Sequence, residues 1–132
     1  MPMNVGLEGK TYAPVRFRVD ADHVARFAKA VGDDGSFVPP TFVTAPEIAA
    51  GLAQAVADAE LGLDFRRVVH GEQEYAWTRP VRVGETLEVR STIESIRAKG
   101  GHEFLTLRTL LLDEDGAEVV TARSSLVVRG VA

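Results

Sequence analysis

Residues 44–60 form an apolar segment with almost no polar face, and this feature limits the possible folds more than any other. The segment reads TAPEIAAGLAQAVADAE, which predicts one continuous helix. A helix at a protein surface carries a polar stripe, but the residues from Ile48 to Ala57 provide almost none. The segment is also shorter than the ~20 apolar residues that a membrane-spanning helix requires. We therefore expect a helix that is buried along its length and enclosed by the rest of the chain.

The start of this helix has the spacing of a capping box. Thr44 lies three residues before Glu47. With this spacing the Thr44 hydroxyl can accept a hydrogen bond from the backbone N–H of Glu47, and the Glu47 carboxylate can accept one from the backbone N–H of Thr44. Pro46 falls in the first turn, where its missing N–H costs no hydrogen bond. The pattern predicts that Thr44 caps the helix and that Glu47 has a structural role.

The later part of the chain supplies strands for a sheet. Four stretches alternate apolar and polar residues as strands do: residues 66–78, 87–95, 104–112 and 119–129. Glycines at 100, 101 and 116 predict hairpin turns between the last three. A strand through residues 15–19 and an amphipathic helix from Asp20 to Gly32 open the chain. The expected fold is α+β, with one buried central helix wrapped by a long antiparallel sheet whose four long strands form a meander.

Composition excludes several classes of function. The chain has no cysteine, so it has neither a disulfide nor a thiolate nucleophile. Its net charge of −4 and pI near 5.4 argue against nucleic-acid binding. No motif indicates a metal ion or another cofactor, and we expect none. The first ten residues lack the pattern of a signal peptide, so we expect a cytoplasmic protein with one domain, residues 1–132.

Several short motifs carry a resemblance to a known family. FAKAVGD at 27–33 is followed by PPTF at 39–42, and HGEQEY at 70–75 is followed by RPV at 79–81 and GETL at 84–87. In order and spacing these motifs resemble MaoC-like dehydratases of the N-terminal, FAS1-like dehydratase type, which have the hot-dog fold. The resemblance covers nearly the whole chain. It implies acyl thioesters of coenzyme A or acyl carrier protein as ligands, and reversible dehydration of (3R)-3-hydroxyacyl groups to trans-2-enoyl groups.

The chain departs from the family in the loop before the central helix. Catalytic members carry G-D-x-N-P-x-H there, and the Asp and His act on the water that is added or removed. Gly32 and Asp33 match the start of this motif, but Asn-Pro and the His are absent. No histidine lies between Asp33 and His70. Because such chemistry needs both a base and an acid, the resemblance implies a catalytically incomplete member.

Three residues are candidates for catalysis. Asp33 matches the family's catalytic Asp, although an Asp in a turn after a helix is commonplace. His70 is a candidate substitute base, with a structural or interface role as the alternative. Glu47 is the third, because some hot-dog thioesterases use a carboxylate on the central helix, but the capping box already accounts for it.

These observations predict a non-catalytic or catalytically incomplete dehydratase subunit that shapes an acyl channel beside a catalytic hot-dog partner. The apolar connection before the central helix is the candidate channel wall, with substrate-binding residues Phe37, Pro40 and Phe42. We expect a homodimer, or a heterodimer with the catalytic subunit, and no contact with nucleic acid or membrane. The alternatives are an independent enoyl hydratase or acyl thioesterase, and a module that binds acyl thioesters without chemistry.

Overall fold

The computed structural model describes residues 2–130, within which five strands form one antiparallel sheet accompanied by three α-helices. In chain order the elements are β1 (Val15–Arg18), α1 (Ala21–Val31), α2 (Thr44–Ala50), α3 (Leu52–Ala57), β2 (Val68–Trp77), β3 (Thr86–Lys99), β4 (His102–Leu112) and β5 (Glu118–Val128). The strand order across the sheet is β1-β3-β4-β5-β2. None of the helices in residues 2–130 is long and apolar enough to cross a membrane.

Strands β3, β4 and β5 form the predicted meander, and both glycine turns lie between them as expected. The prediction that β2 starts this meander is wrong, because β2 pairs with β5 and forms an edge of the sheet. The connection after β2 crosses to the opposite edge. There the backbone of Val19, next to β1, exchanges hydrogen bonds with Gly84 and Glu85 at 2.8 and 2.9 Å. A short hairpin between β2 and β3 is therefore impossible.

Helix α1 begins and ends where the sequence predicts. The Asp20 side chain accepts a hydrogen bond from the backbone N–H of His23 at 3.1 Å, and Gly32 ends the helix in the left-handed conformation at φ 76°. Val24 and Ala28 are buried, as the amphipathic stripe predicts. Val31, the last residue of that stripe, is instead 55% exposed.

The predicted single central helix is divided into α2 and α3 at Gly51. This residue has φ −105° and ψ −86°, which interrupts the helical path. A Cβ at this position would lie 2.9 Å from the Ser91 hydroxyl oxygen and 3.1 Å from the Glu47 carbonyl oxygen. Glycine therefore allows the helix to approach the sheet closely, and α2 packs against β1, β3 and β4.

The prediction of burial along the whole central helix is wrong for the single chain. Ala50 and Ala55 are fully buried against the sheet. Ile48 and Val56 are 46% and 41% exposed, and Ala53 is also exposed. The central helices thus have two apolar faces, of which the sheet covers only one.

Strand β2 contains a bulge that changes which side chains face the helices. Its register with β5 shifts between His70 and Glu72. The bulge places Val68 on the half-buried side and leaves Val69 40% exposed, whereas unbroken alternation predicts Val69 on the same face as Gln73 and Tyr75.

Candidate functional site

A cavity of about 250 Å³ lies between the central helices and the sheet. Its apolar lining is contributed by Ile48, Leu52, Phe65, Val68, Leu107 and Leu126. Its polar lining is contributed by Thr44, Glu47, His70, Gln73, Thr109 and Ser124. A cavity of this composition suits an apolar ligand that also carries a small polar group.

The most buried ionisable side chain at this cavity is Glu47, on α2, which is 5% exposed. Its Oε1 accepts a hydrogen bond from the Tyr75 hydroxyl at 2.7 Å, and its Oε2 accepts one from Gln73 Nε2 at 2.9 Å. The Ser124 hydroxyl lies 3.2 Å from Oε2. Thr44 completes the group, with its hydroxyl 2.7 Å from the Tyr75 oxygen. We call these five residues the Glu47 cluster.

This geometry replaces the predicted capping box. Helix α2 begins at Thr44 itself, and no side chain caps it, because the preceding residue Val43 already has helical dihedral angles. The chain enters α2 from a 3-10 turn over Pro40–Val43, so the start of the helix needs no extended cap residue. The side chains of Thr44 and Glu47 are therefore free to point toward β2 and β5. Glu47 belongs to the cavity rather than to the helix end.

Tyr75 is locked into the cluster in its protonated form. Burial raises the pKa of the Tyr75 hydroxyl, and the hydrogen bond to Glu47 raises it further. The phenol therefore keeps its proton at neutral pH and donates a hydrogen bond to the Glu47 carboxylate. Its ring also lies against Trp77, with ring centroids 5.5 Å apart.

Of the three candidates for catalysis, Glu47 and His70 line this cavity and Asp33 does not. The His70 side chain is exposed and its Nε2 lies 3.0 Å from the carbonyl oxygen of Glu72, across the bulge. Asp33 lies in the exposed turn after α1, where it accepts a hydrogen bond from the backbone N–H of Gly35 at 2.8 Å. The structure does not bring Asp33 to the cavity that His70 lines.

The three predicted substrate-binding residues occupy different environments. Phe37 is 83% exposed. Pro40 lines a second groove, of about 340 Å³, between the proline-rich connection and the end of β2. Phe42 is fully buried, with its ring edge-on to Phe27 and to His23 at centroid distances of 5.6 and 4.9 Å. As an aromatic core residue, Phe42 is out of reach of a ligand within the single chain.

One feature of the sequence indicates the Glu47 cluster, although the helix-cap interpretation explained Glu47 in another way. Glu47 is the only charged residue from Thr44 to Ala57. A single acid in an otherwise apolar helix needs polar partners when the helix packs on a sheet. Gln73 and Tyr75 alternate on one face of β2 and could supply them, but the sequence alone does not show that Ser124 on β5 lies beside them. Within residues 2–130 no group of three or more His, Asp or Glu side chains could hold a metal ion.

Comparison with known proteins places the chain in a family. Residues 32–122 match the family described as FAS1-like, dehydratase domain region. A UPF0336 protein of Streptomyces avermitilis is 40% identical, and the match covers 98% of this chain and 97% of that protein. The alignment runs over 146 positions, against 132 residues here, so the relative has residues without a counterpart in this chain.

Two solved structures share the fold. One is the C-terminally truncated HadBC complex, a (3R)-hydroxyacyl-ACP dehydratase from Mycobacterium tuberculosis, with 24% identity and a TM-score of 0.80 over 92% of this chain and 96% of that one. The other is a MaoC-like dehydratase, with 20% identity and a TM-score of 0.81 over 93% of this chain and 42% of that one. They confirm the predicted hot-dog fold. The chain belongs to the family of FAS1-like dehydratase domain regions, as its short motifs predict.

Proposed function

We propose that this chain is an acyl-thioester-binding subunit of a (3R)-3-hydroxyacyl-thioester dehydratase, and that it is catalytically incomplete. The cavity under the central helices carries the proposal. The cavity lies between the central helices and the sheet, and its walls at Leu52, Leu107 and Leu126 are apolar. Burial of apolar surface, at roughly 25 cal/mol per Å², favours an acyl chain there. The HadBC complex, which shares the fold, is described as such a dehydratase.

The surroundings of Asp33 support the proposal that the catalytic machinery is incomplete. Its carboxylate bonds within its own turn, and the adjacent Asp34 bonds in the same way to the backbone N–H of Ser36 at 2.9 Å. His70 lies on β2 beside a separate cavity, so the two residues do not form an acid–base pair within the chain. A general acid or base contributes typically ~10²–10⁴-fold, and a carboxylate alone in a solvent-exposed turn supplies little of this.

An exposed edge of the sheet and an exposed apolar face at the cavity support the proposal that the chain has a partner subunit. Strand β2 is an edge strand of ten residues, and such edges invite pairing. Ile48 and Phe65 line the cavity and are still 46% and 54% exposed. A second hot-dog chain, either a catalytic subunit or another copy of this one, would cover this side and enclose the ligand. Phe37 and Pro40 are then candidates to contact the ligand or the partner.

A second candidate function is that of an independent hydratase or thioesterase. The observation in its favour is Glu47, a nearly buried carboxylate at the wall of a ligand-sized cavity. Its oxygens already accept hydrogen bonds from neighbouring side chains, which suits recognition better than attack on a thioester. Catalysis by Glu47 predicts turnover by the chain alone and loss of that turnover in Glu47→Gln.

The proposed function predicts that the full chain binds an acyl thioester in this cavity. Calorimetric titration with dodecanoyl pantetheine should give saturable binding, and Leu52→Trp should weaken it at least about tenfold by occupying part of the cavity. Val56→Trp is the matched control, because Val56 is 41% exposed and does not line the cavity. Absence of binding by the unmodified chain, or equal weakening by both substitutions, contradicts an acyl site between helix and sheet.

A further inference from the structure

We propose that the cavity encloses an acyl chain of no more than about ten carbon atoms, which makes this subunit specific for medium-chain acyl thioesters. The inference rests on the proposed acyl-thioester function and adds the length of its substrate. Val68 and Leu126 are the residues that set this length. The argument uses the two ends, the length and the volume of the cavity.

The cavity has a polar end and an apolar end. Gln73 on β2 lies opposite Ser124 on β5, and both line the polar end together with Glu47. Val68 and Leu126 line the apolar end, farther toward the start of β2 and the end of β5. Because apolar surface is favoured away from water and from polar groups, the hydrocarbon tail belongs at the apolar end. The thioester then lies toward the polar end.

The polar end is accessible from outside the chain. Ile48 follows Glu47 on α2, lines the cavity and is 46% exposed. Thr44 lines the same end and is half-buried. A partner that covers this side can bring an acid–base pair to the carbons beside the thioester. The orientation with the tail inward therefore agrees with a catalytic pair on the partner subunit.

The apolar end is closed by side chains that already pack together. Val128 lies two residues beyond Leu126 on β5, is 2% exposed and does not line the cavity. Leu105, opposite Leu126 on β4, is fully buried and does not line it either. Both belong to the same core as Leu126. A longer tail cannot continue along the sheet, and its extra methylene groups would leave past Phe65, which is 54% exposed.

The length and the volume of the cavity give the same limit. Ser124 and Val128 are four residues apart on β5, a distance of about 13 Å at the rise of a strand. An extended chain advances roughly 1.2 Å per bond, so about ten carbon atoms cover this distance. The volume is about 250 Å³. An apolar cavity of ~150 Å³ holds benzene, roughly 25 Å³ per carbon atom, and on this scale the cavity again holds about ten.

The experiment measures affinity as a function of chain length. The full chain is titrated calorimetrically with hexanoyl, octanoyl, decanoyl, dodecanoyl and tetradecanoyl pantetheine. Affinity should rise at least about fivefold for each two-carbon step up to decanoyl, and should change less than about twofold from decanoyl to tetradecanoyl. A continued rise to tetradecanoyl overturns the length limit while leaving the acyl-binding function intact. No binding of any of the five contradicts the acyl-binding function itself.

Two variants connect the limit to the apolar end. Leu126→Ala removes side-chain carbons from the wall and should move the limit from decanoyl to dodecanoyl. Val68→Phe adds side-chain volume at a half-buried position and should move the limit from decanoyl to octanoyl. Because Val68 lies on the edge strand, its result tests the inference even if Leu126→Ala does not fold. A limit that stays at decanoyl in either folded variant contradicts the assignment.

Leu111→Ala is the matched control for truncating a buried leucine. Leu111 on β4 is fully buried, packs in the other core cluster and does not line the cavity. This variant should keep the limit at decanoyl whatever its effect on the melting temperature. If Leu111→Ala moves the limit to dodecanoyl as Leu126→Ala does, the shift comes from general loosening of the core and the inference is wrong.

Discussion

At the scale of single residues, the buried carboxylates Glu47 and Glu103 and the half-buried Glu85 each have specific hydrogen-bond donors. Glu47 has donors from β2 and β5, and Glu103 has a backbone donor from the N-terminal segment. Glu85 has a cation instead. Arg79 donates to both of its oxygens at 2.8 and 3.0 Å, and the backbone N–H of Arg82 donates at 2.7 Å. A glutamate can therefore line the cavity, as Glu47 does, or hold the connection between β2 and β3, as Glu85 does, depending on its donors.

The pairing of Glu85 predicts a pH-dependent contribution to stability. The hydrogen bonds from Arg79 hold the pKa of Glu85 below its usual value of about 4.5. Because the folded-state pKa is lowered, this contribution is present above the unfolded value and is lost as the pH falls through the folded one. Urea unfolding should show Glu85→Gln less stable by about 1–2 kcal/mol at pH 7, with the difference shrinking at pH 3. The exposed Glu114, changed to Gln, should show neither effect, and an equal Glu85→Gln difference at both pH values contradicts the assignment.

At the scale of secondary-structure elements, the break at Gly51 determines how closely the central helices approach the sheet. Gly51→Ala should destabilise the fold by about 1–3 kcal/mol, because the added methyl group meets the Ser91 hydroxyl and the Glu47 carbonyl. Ala53→Glu, two residues away on an exposed position, should change stability by less than about 0.5 kcal/mol. Chemical denaturation of both variants checks this. Severe destabilisation by Ala53→Glu would contradict this expectation and would support the fully enclosed helix that the sequence predicts.

The sequence predicts those elements whose determinants are local. Asp20 and Gly32 bound α1, and glycines at 100, 101 and 116 form the turns of the meander, because each acts through its own backbone or its near neighbours. Pairings between distant segments do not follow from local pattern. The position of β2 beside β5 depends on a crossing fixed at Val19.

In the candidate site, too, the sequence predicts local features but not contacts between residues that are distant in the chain. The Glu47 cluster joins residues as far apart in the chain as Thr44 and Ser124, and a helix-cap interpretation explains Glu47 equally well from sequence alone. The bulge at Gly71 shifts the alternation of β2, so counting alternate residues misplaces Val69. The departure at Asp33, in contrast, is visible in the sequence as a missing motif.

At the scale of the whole molecule, the edge strand, the open side of the central helices and the cavity occur together. Ile48 lies on the exposed face and also lines the cavity. A chain that pairs through β2 would enclose the ligand from this side. We therefore propose that the chain is one half of a working unit, with the acyl cavity on this half and the acid–base pair on the other.

The most direct test of this account is the hydration of enoyl thioesters with and without a catalytic partner. Crotonyl and longer enoyl thioesters are assayed with the chain alone, with a hot-dog subunit that carries G-D-x-N-P-x-H alone, and with both together. Unmodified chain is compared with Asp33→Asn and His70→Ala. We predict no turnover above background by the chain alone, and activity with the partner that neither substitution reduces. Robust hydration by the unmodified chain alone, abolished by both substitutions, would contradict it.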